Sequence, residues 1–208
     1  MKIFIVIIIF AILPLNSILS NEKVSGMDIQ FLESNFKEKH KEIYNFIKNK
    51  IPELIKISNE PTIHQALINK DFKIDSLNEI KRLDSSWTST LKITKFKNEV
   101  QKRRVSRFLK STVLYSNNKL YSELFLTGNN GVLIGAYPLT TDFWQGDEEK
   151  WIKSYNDGLC QIFIGPIEYD ESSDRKAIQV SIPVVDQVGN CTGILIIGLR
   201  YRIMMMSN

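Results

Sequence analysis

Histidine and cysteine are scarce in this chain: its 208 residues contain two of each, His40 and His64, Cys160 and Cys191. So sparse a supply offers no spacing for a metal site. The G-x-S-x-G, H-E-x-x-H and phosphate-loop signatures are also missing. No cofactor and no metal are expected, and the chain is read as a non-enzyme; Cys160 with His64 is the one nucleophile–base pair these residue types would permit. There is no second long apolar run after Leu19, no internal repeat and no low-complexity tract. With 43% hydrophobic and 24% charged residues the composition is that of a globular domain, and disorder is excluded. The length suits one domain with a sizeable core. A net charge of +4 is too mild to argue for nucleic acid.

What is present begins with Met1-Lys2 and an apolar run from Ile3 to Leu15, broken only by Pro14 and followed by Asn16-Ser17-Ile18-Leu19-Ser20. Residues 1–20 read as a secretory signal peptide with a small residue at the cleavage point. A retained anchor is the rival reading, but 13 apolar residues fall short of the roughly 20 that span a bilayer. Residues 21–208 are expected to form a single periplasmic or secreted domain. Because the chain stops just behind its final strand, a stand-alone exported domain is expected. In an oxidising compartment a Cys160–Cys191 bridge is the first thought. On two strands separated by a third, however, the cysteines would lie roughly 10 Å apart, beyond the about 7 Å limit for a disulfide. A bridge, with one cysteine in a bent loop end, and two buried thiols both stand.

From Met27 to Lys50 the apolar positions Ile29, Leu32, Phe36, Ile43 and Ile47 fall near helical spacing, which predicts one long amphipathic helix that Pro52 kinks or restarts. Pro61 suits the first turn of a second helix, and Ile74 to Trp87 continues in helical style. Lys92 to Lys110 holds eight cations against Glu99 alone; with Val105, Phe108 and Leu109 on one side, it reads as an amphipathic helix with a solvated basic face. The helical part is thus 27–112. From Leu120 the period becomes two. Gly128-Asn129-Asn130-Gly131 marks a tight turn between two strands, and three Ile/Val-rich strands follow an insert at about 138–160. Short connections make these pairings antiparallel. Helices first and strands (120–203) afterwards predict an α+β fold.

The stretches YSELFLTGNNGVLIG, TTDFWQGDEEKWIKSYNDG, IGPIEYD and VSIPVVDQVGNCTGILIIGL resemble, in order and spacing, the extracytoplasmic Cache (PDC-like) sensor domains that bacteria use to detect small molecules. ISNEPTIHQAL and Leu83-Asp84-Ser85-Ser86-Trp87 resemble that family's helical lead-in, so the likeness covers most of Asn21 to Arg202. It implies a long N-terminal helix packed on a five-stranded antiparallel sheet of order 2-1-5-4-3. The ligand pocket would lie between sheet and insert. In amino-acid-binding members an Arg-x-Trp-Tyr run grips the ligand carboxylate and an Asp after the third strand takes the amino group. Trp151 and Asp170 would match the Trp and the Asp, but Glu149 stands where the Arg should be.

The resulting expectation is a small-molecule sensor that binds an amino acid, amine or organic acid and passes on or buffers the signal. Tyr137, Phe143, Trp144, Trp151 and Tyr155 would supply walls, and Thr141, Asp142, Asp147 and Asp170 polar contacts. Against this, Trp144 and Trp151 lie seven apart and would share one helix face, so each ring taken singly reads better as packing. Two other classes remain: an interaction module whose basic helix docks on a membrane-bound signalling partner, and a hydrolase using Asp147, Glu148 and Glu149. Adjacent acids at a helix start are, however, ordinary dipole complementation. The N-terminal helix would also suit a homodimer.

Overall fold

The apolar residues of the C-terminal half recur every second position and those of the middle every third or fourth, and each pattern settles into its own element. The computed structural model describes residues 23–24, 27–31, 36–69, 74–170 and 175–206; the proposed signal peptide, 1–20, lies outside them. Two short strands, β1 (Lys23–Val24) and β2 (Met27–Phe31), precede six helices: α1 (Phe36–Lys39), α2 (Lys41–Ser58), α3 (Pro61–Ile68), α4 (Leu77–Thr88), α5 (Lys95–Lys102) and α6 (Arg104–Leu114). Next come β3 (Tyr121–Gly128), β4 (Leu133–Tyr137), α7 (Glu149–Tyr155), β5 (Ile162–Asp170), β6 (Arg175–Val185), β7 (Cys191–Arg200) and α8 (Tyr201–Met206).

The sheet runs β1-β2-β5-β6-β7-β3-β4. The sheet therefore departs from the five antiparallel strands expected: two further strands, β1 and β2, extend it beyond β5, and β2 pairs with β5 in parallel, Ile29 opposite Ile162. The long helix expected from Met27 is corrected with it. MDIQF is too short for its apolar residues to separate a period of two from one of 3.6, and pairing with the β5 edge decides for strand. Pro52 does not break α2 either, which runs through it to Ser58. A helix-interior proline costs about 3 kcal/mol, whereas Ile47, Ile51 and Leu54, all fully buried, contribute about 2 kcal/mol each.

Alternation along the strands sorts the core into two layers. Leu124, Leu126, Leu195, Ile197 and Leu199 face α1, α2, α3, α6 and α8. Phe125, Ile194 and Ile196 face the opposite layer, where α4, α5 and the β4–β5 insert supply Ile80, Trp87, Val100 and Phe143. The basic segment is two helices rather than one. Arg103 adopts an extended backbone between them and donates to the carbonyls of Leu133 (3.4 Å) and Ile134 (2.8 Å). Burial draws its guanidinium down to about 10.

The expected turn forms with Gly131 at φ +79°, where any Cβ would collide with the Gly146 backbone. Of the two readings of the cysteines, the bridge is the one found, with a Cα–Cα distance of 5.7 Å. Cys160 lies ahead of β5, in a bend with φ +55°, and this brings it to the start of β7. The bridge also rules out a Cys160–His64 nucleophile pair.

Candidate functional site

Residues 138–161 leave β4, cross the sheet face opposite α2, and return as β5. Strand and helix hold this excursion at many points. Phe143 accepts from Leu133 N (3.0 Å), and Gln145 N donates to Gly131 (2.8 Å). From α4, the Asp84 carboxylate accepts from the amides of Phe143 (2.8 Å) and Trp144 (2.9 Å), while Trp87 Nε1 donates to the Thr140 carbonyl (3.0 Å). Trp144 Nε1 donates to Asn130 (2.9 Å) and Trp151 Nε1 to Gly128 (3.2 Å). The rings of Trp151 and Tyr155 stack at 4.8 Å. Phe143 sits among Trp87 and Phe96, at 5.6 and 4.9 Å.

Between excursion and sheet lies a cleft of about 270 Å³. The excursion lines it with Pro138, Leu139, Thr140, Thr141, Gln145 and Lys150; the sheet contributes Glu123, Phe125, Glu168, Tyr169, Ala177 and Gln179. Its floor follows from one residue. Gln179 and Glu123 flank Gly198 in register across β6, β7 and β3, and Gln179 Nε2 reaches Glu123 Oε1 at 2.8 Å over the bare strand between them. A Cβ on Gly198 would collide with Ser122 Oγ and lie 2.8 Å from Glu123 Cγ. A smaller groove of about 80 Å³ shares Lys150, Glu168 and Gln179 and continues past Glu148, Glu149 and Phe163.

The cleft has charge of both signs. Lys150 Nζ stands 5.8 Å over the Phe125 ring and 3.5 Å from Glu148, and Glu168 is exposed at the other side. Gln145 is only 2% exposed. Its Nε2 donates to the Asp142 carbonyl at 3.0 Å, but its Oε1 is buried with no donor among the described residues. Such a group carries a desolvation penalty of about 1–3 kcal/mol until something donates to it.

Of the nine residues singled out from the sequence, Thr141 lines the cleft. Phe143, Trp144, Trp151 and Tyr155 build the excursion and its contact with the sheet. Asp142 is half-buried beside it and Asp147 is exposed. Tyr137 faces the α6 layer, with Lys110 Nζ 5.5 Å over its ring. Asp170 ends β5, opposite Arg175; its side chain lies outside the described residues. Sequence reasoning missed Glu123, Gln145, Lys150, Glu168 and Gln179. Glu123 and Gln179 did leave a signal, as polar residues inside the otherwise apolar strand runs YSELFL and AIQVSI.

Among the described residues no cluster of His, Cys, Asp and Glu could hold a metal ion, and no helix is long and apolar enough to cross a membrane. No protein-family profile matches the chain, and no curated protein does. Solved structures do match. The sensor domain of E. coli DcuS superposes with a TM-score of 0.50 at 13% identity, over 80% of this chain and 96% of that one. The sensor domain of the V. cholerae histidine kinase DctB gives 0.40 at 13%, over 82% and 58%. The sensory domain of the Campylobacter jejuni chemoreceptor Tlp3 with isoleucine bound gives 0.43 at 14%, over 82% and 61%. The chain has the Cache-type (PDC-like) sensor-domain fold.

Proposed function

We propose that this is an extracytoplasmic sensor domain without enzymatic activity, which binds a small polar metabolite in the cleft beneath the β4–β5 excursion. The observation that carries the reading is Gln145: an amide oxygen buried at the cleft wall without a donor among the described residues. A ligand N–H or O–H supplies what it lacks. Lys150 meets a carboxylate, Glu123 and Glu168 suit an ammonium group, and Phe125 and Tyr169 provide walls. About 270 Å³ fits an amino acid, an amine or a short organic acid. The excursion, pinned to α4 through Asp84 and Trp87, is the element whose position occupancy would fix, and through it a membrane-bound partner would read the ligand.

The test is a thermal-shift screen of the mature chain against amino acids, amines and organic acids. A ligand at about 100 times its Kd stabilises by about 2.7 kcal/mol, which for a domain of this size raises Tm by roughly 5–10 °C. Lys150→Ala and Gln145→Leu should abolish that gain while the unliganded Tm stays within a few degrees of wild type. A full panel without any shift, or variants that respond as wild type does, would sink the assignment.

A further inference from the structure

The basic segment plays no part in the cleft. Residues 92–110 hold eight cations and Glu99, a net +7 in a chain of +4, so the remainder is net negative. Two of the eight are structural: Arg103 turns inward to β4, and Lys97 donates to the Thr90 carbonyl under the Trp87 ring. Lys92, Lys95, Lys102, Arg104, Arg107 and Lys110 are exposed.

On α6 the arrangement is ordered. At about 100° per residue, Val105, Leu109 and Val113 form the inner side and are buried. Arg104, Arg107, Lys110, Ser111 and Leu114 fall on an outer stripe about 120° wide, and all are exposed. None of these cations has a carboxylate partner among the described residues. Arg104 reaches Gln65 Oε1 at 3.4 Å, Arg107 the Lys102 carbonyl at 3.1 Å, and Lys110 Nζ stands 5.5 Å over the Tyr137 ring. At the C-terminal end of the stripe, Leu114 is 52% and Tyr115 87% exposed.

We propose that the outer face of α6 docks on a bilayer surface containing anionic phospholipid. The three cations meet headgroup phosphates, and Leu114 and Tyr115 enter the boundary between headgroups and acyl chains. A purely polyanionic partner would use the cations and leave the leucine and tyrosine in water; a lipid surface uses both. Since α6 packs on the sheet face opposite the cleft, docking leaves the cleft open to solvent.

Flotation of the mature chain with vesicles decides the matter. Binding is expected to phosphatidylcholine vesicles containing phosphatidylglycerol and not to phosphatidylcholine alone, and it should be lost in about 1 M salt, where the screening length is about 3 Å. The combined Arg104→Gln, Arg107→Gln, Lys110→Gln variant should bind about a hundredfold more weakly with an unchanged Tm. Leu114→Ser should bind several-fold more weakly while keeping the wild-type salt dependence. Equal binding to both vesicle types overturns the proposal, as does a charge variant that binds like wild type. So does an RNA or polyglutamate competitor that displaces the protein from vesicles while Leu114→Ser has no effect, because the partner would then be a soluble polyanion.

Discussion

Asp84 is the residue through which α4 holds the excursion, and removing its carboxylate tests whether that clamp shapes the cleft. One oxygen accepts from two backbone amides, Phe143 N at 2.8 Å and Trp144 N at 2.9 Å. A hydrogen bond to a charged acceptor is worth about 1.5–3 kcal/mol. Asp84 is half-exposed, so the low end applies to each, and Asp84→Ala should cost about 3 kcal/mol. The Phe143 amide belongs to a residue 1% exposed, where water makes a poor substitute. Asp84→Asn keeps a neutral acceptor in place, two bonds of about 1 kcal/mol in place of two of about 1.5, and should cost only about 1 kcal/mol. Urea denaturation of the three proteins with matched m-values reads the differences. The clamp also carries the cleft wall at Thr140 and Thr141, so any ligand found in the screen should bind Asp84→Ala more weakly. An Asp84→Ala protein within about 0.5 kcal/mol of wild type would refute the reasoning. Equal costs for Ala and Asn would show that the charge is irrelevant.

Three further outcomes are expected. Gly198→Ala, which puts a Cβ against Ser122 and Glu123, should cost about 1–3 kcal/mol by overpacking and abolish ligand-dependent stabilisation, measured by thermal shift with and without ligand. Replacing Cys160 and Cys191 by serine opens a link between residues 31 apart and should lower stability by about 3–4 kcal/mol in denaturant titration; a loss under about 1 kcal/mol would contradict it. Burial raises the Glu53 carboxyl, but hydrogen bonds from Lys50 (2.7 Å) and Tyr121 (2.6 Å), with the Lys50 charge, together hold it below its ordinary 4.5. A depressed folded value gives stability that is present above the unfolded value and lost as pH falls through the folded one. The stability gap between wild type and Tyr121→Phe should therefore narrow below about pH 4.5, and a gap that stays constant through acid would rule out the linkage.

How far the residues foretold this depends on how locally each feature is encoded. The strands from Tyr121 onward were legible because alternation and the Gly128–Gly131 turn are contained within a dozen residues. β2 was not, because five residues cannot reveal a period and its partner lies far along the chain. The resemblance to Cache domains put a pocket between the insert and the sheet, and a cleft lies there. Most of its lining was not legible. The tryptophan N–H groups find carbonyls of the β3–β4 turn, Asn130 and Gly128, so the rings serve as structure, and the polar residues beneath them come from β3, β5 and β6. A glycine that leaves room between two side chains on neighbouring strands shows its meaning only once the register is known.

The parallel pairing of β2 has a kinetic corollary. Ile29 meets Ile162 only after 133 further residues, so a nascent or freshly translocated polypeptide presents this hydrophobic segment long before its β5 partner exists. Closing so long a loop is slow, and an unpaired edge invites adhesion to other chains. One of the first strands made thus waits for one of the later ones, and until the two pair β5 has no neighbour along that edge.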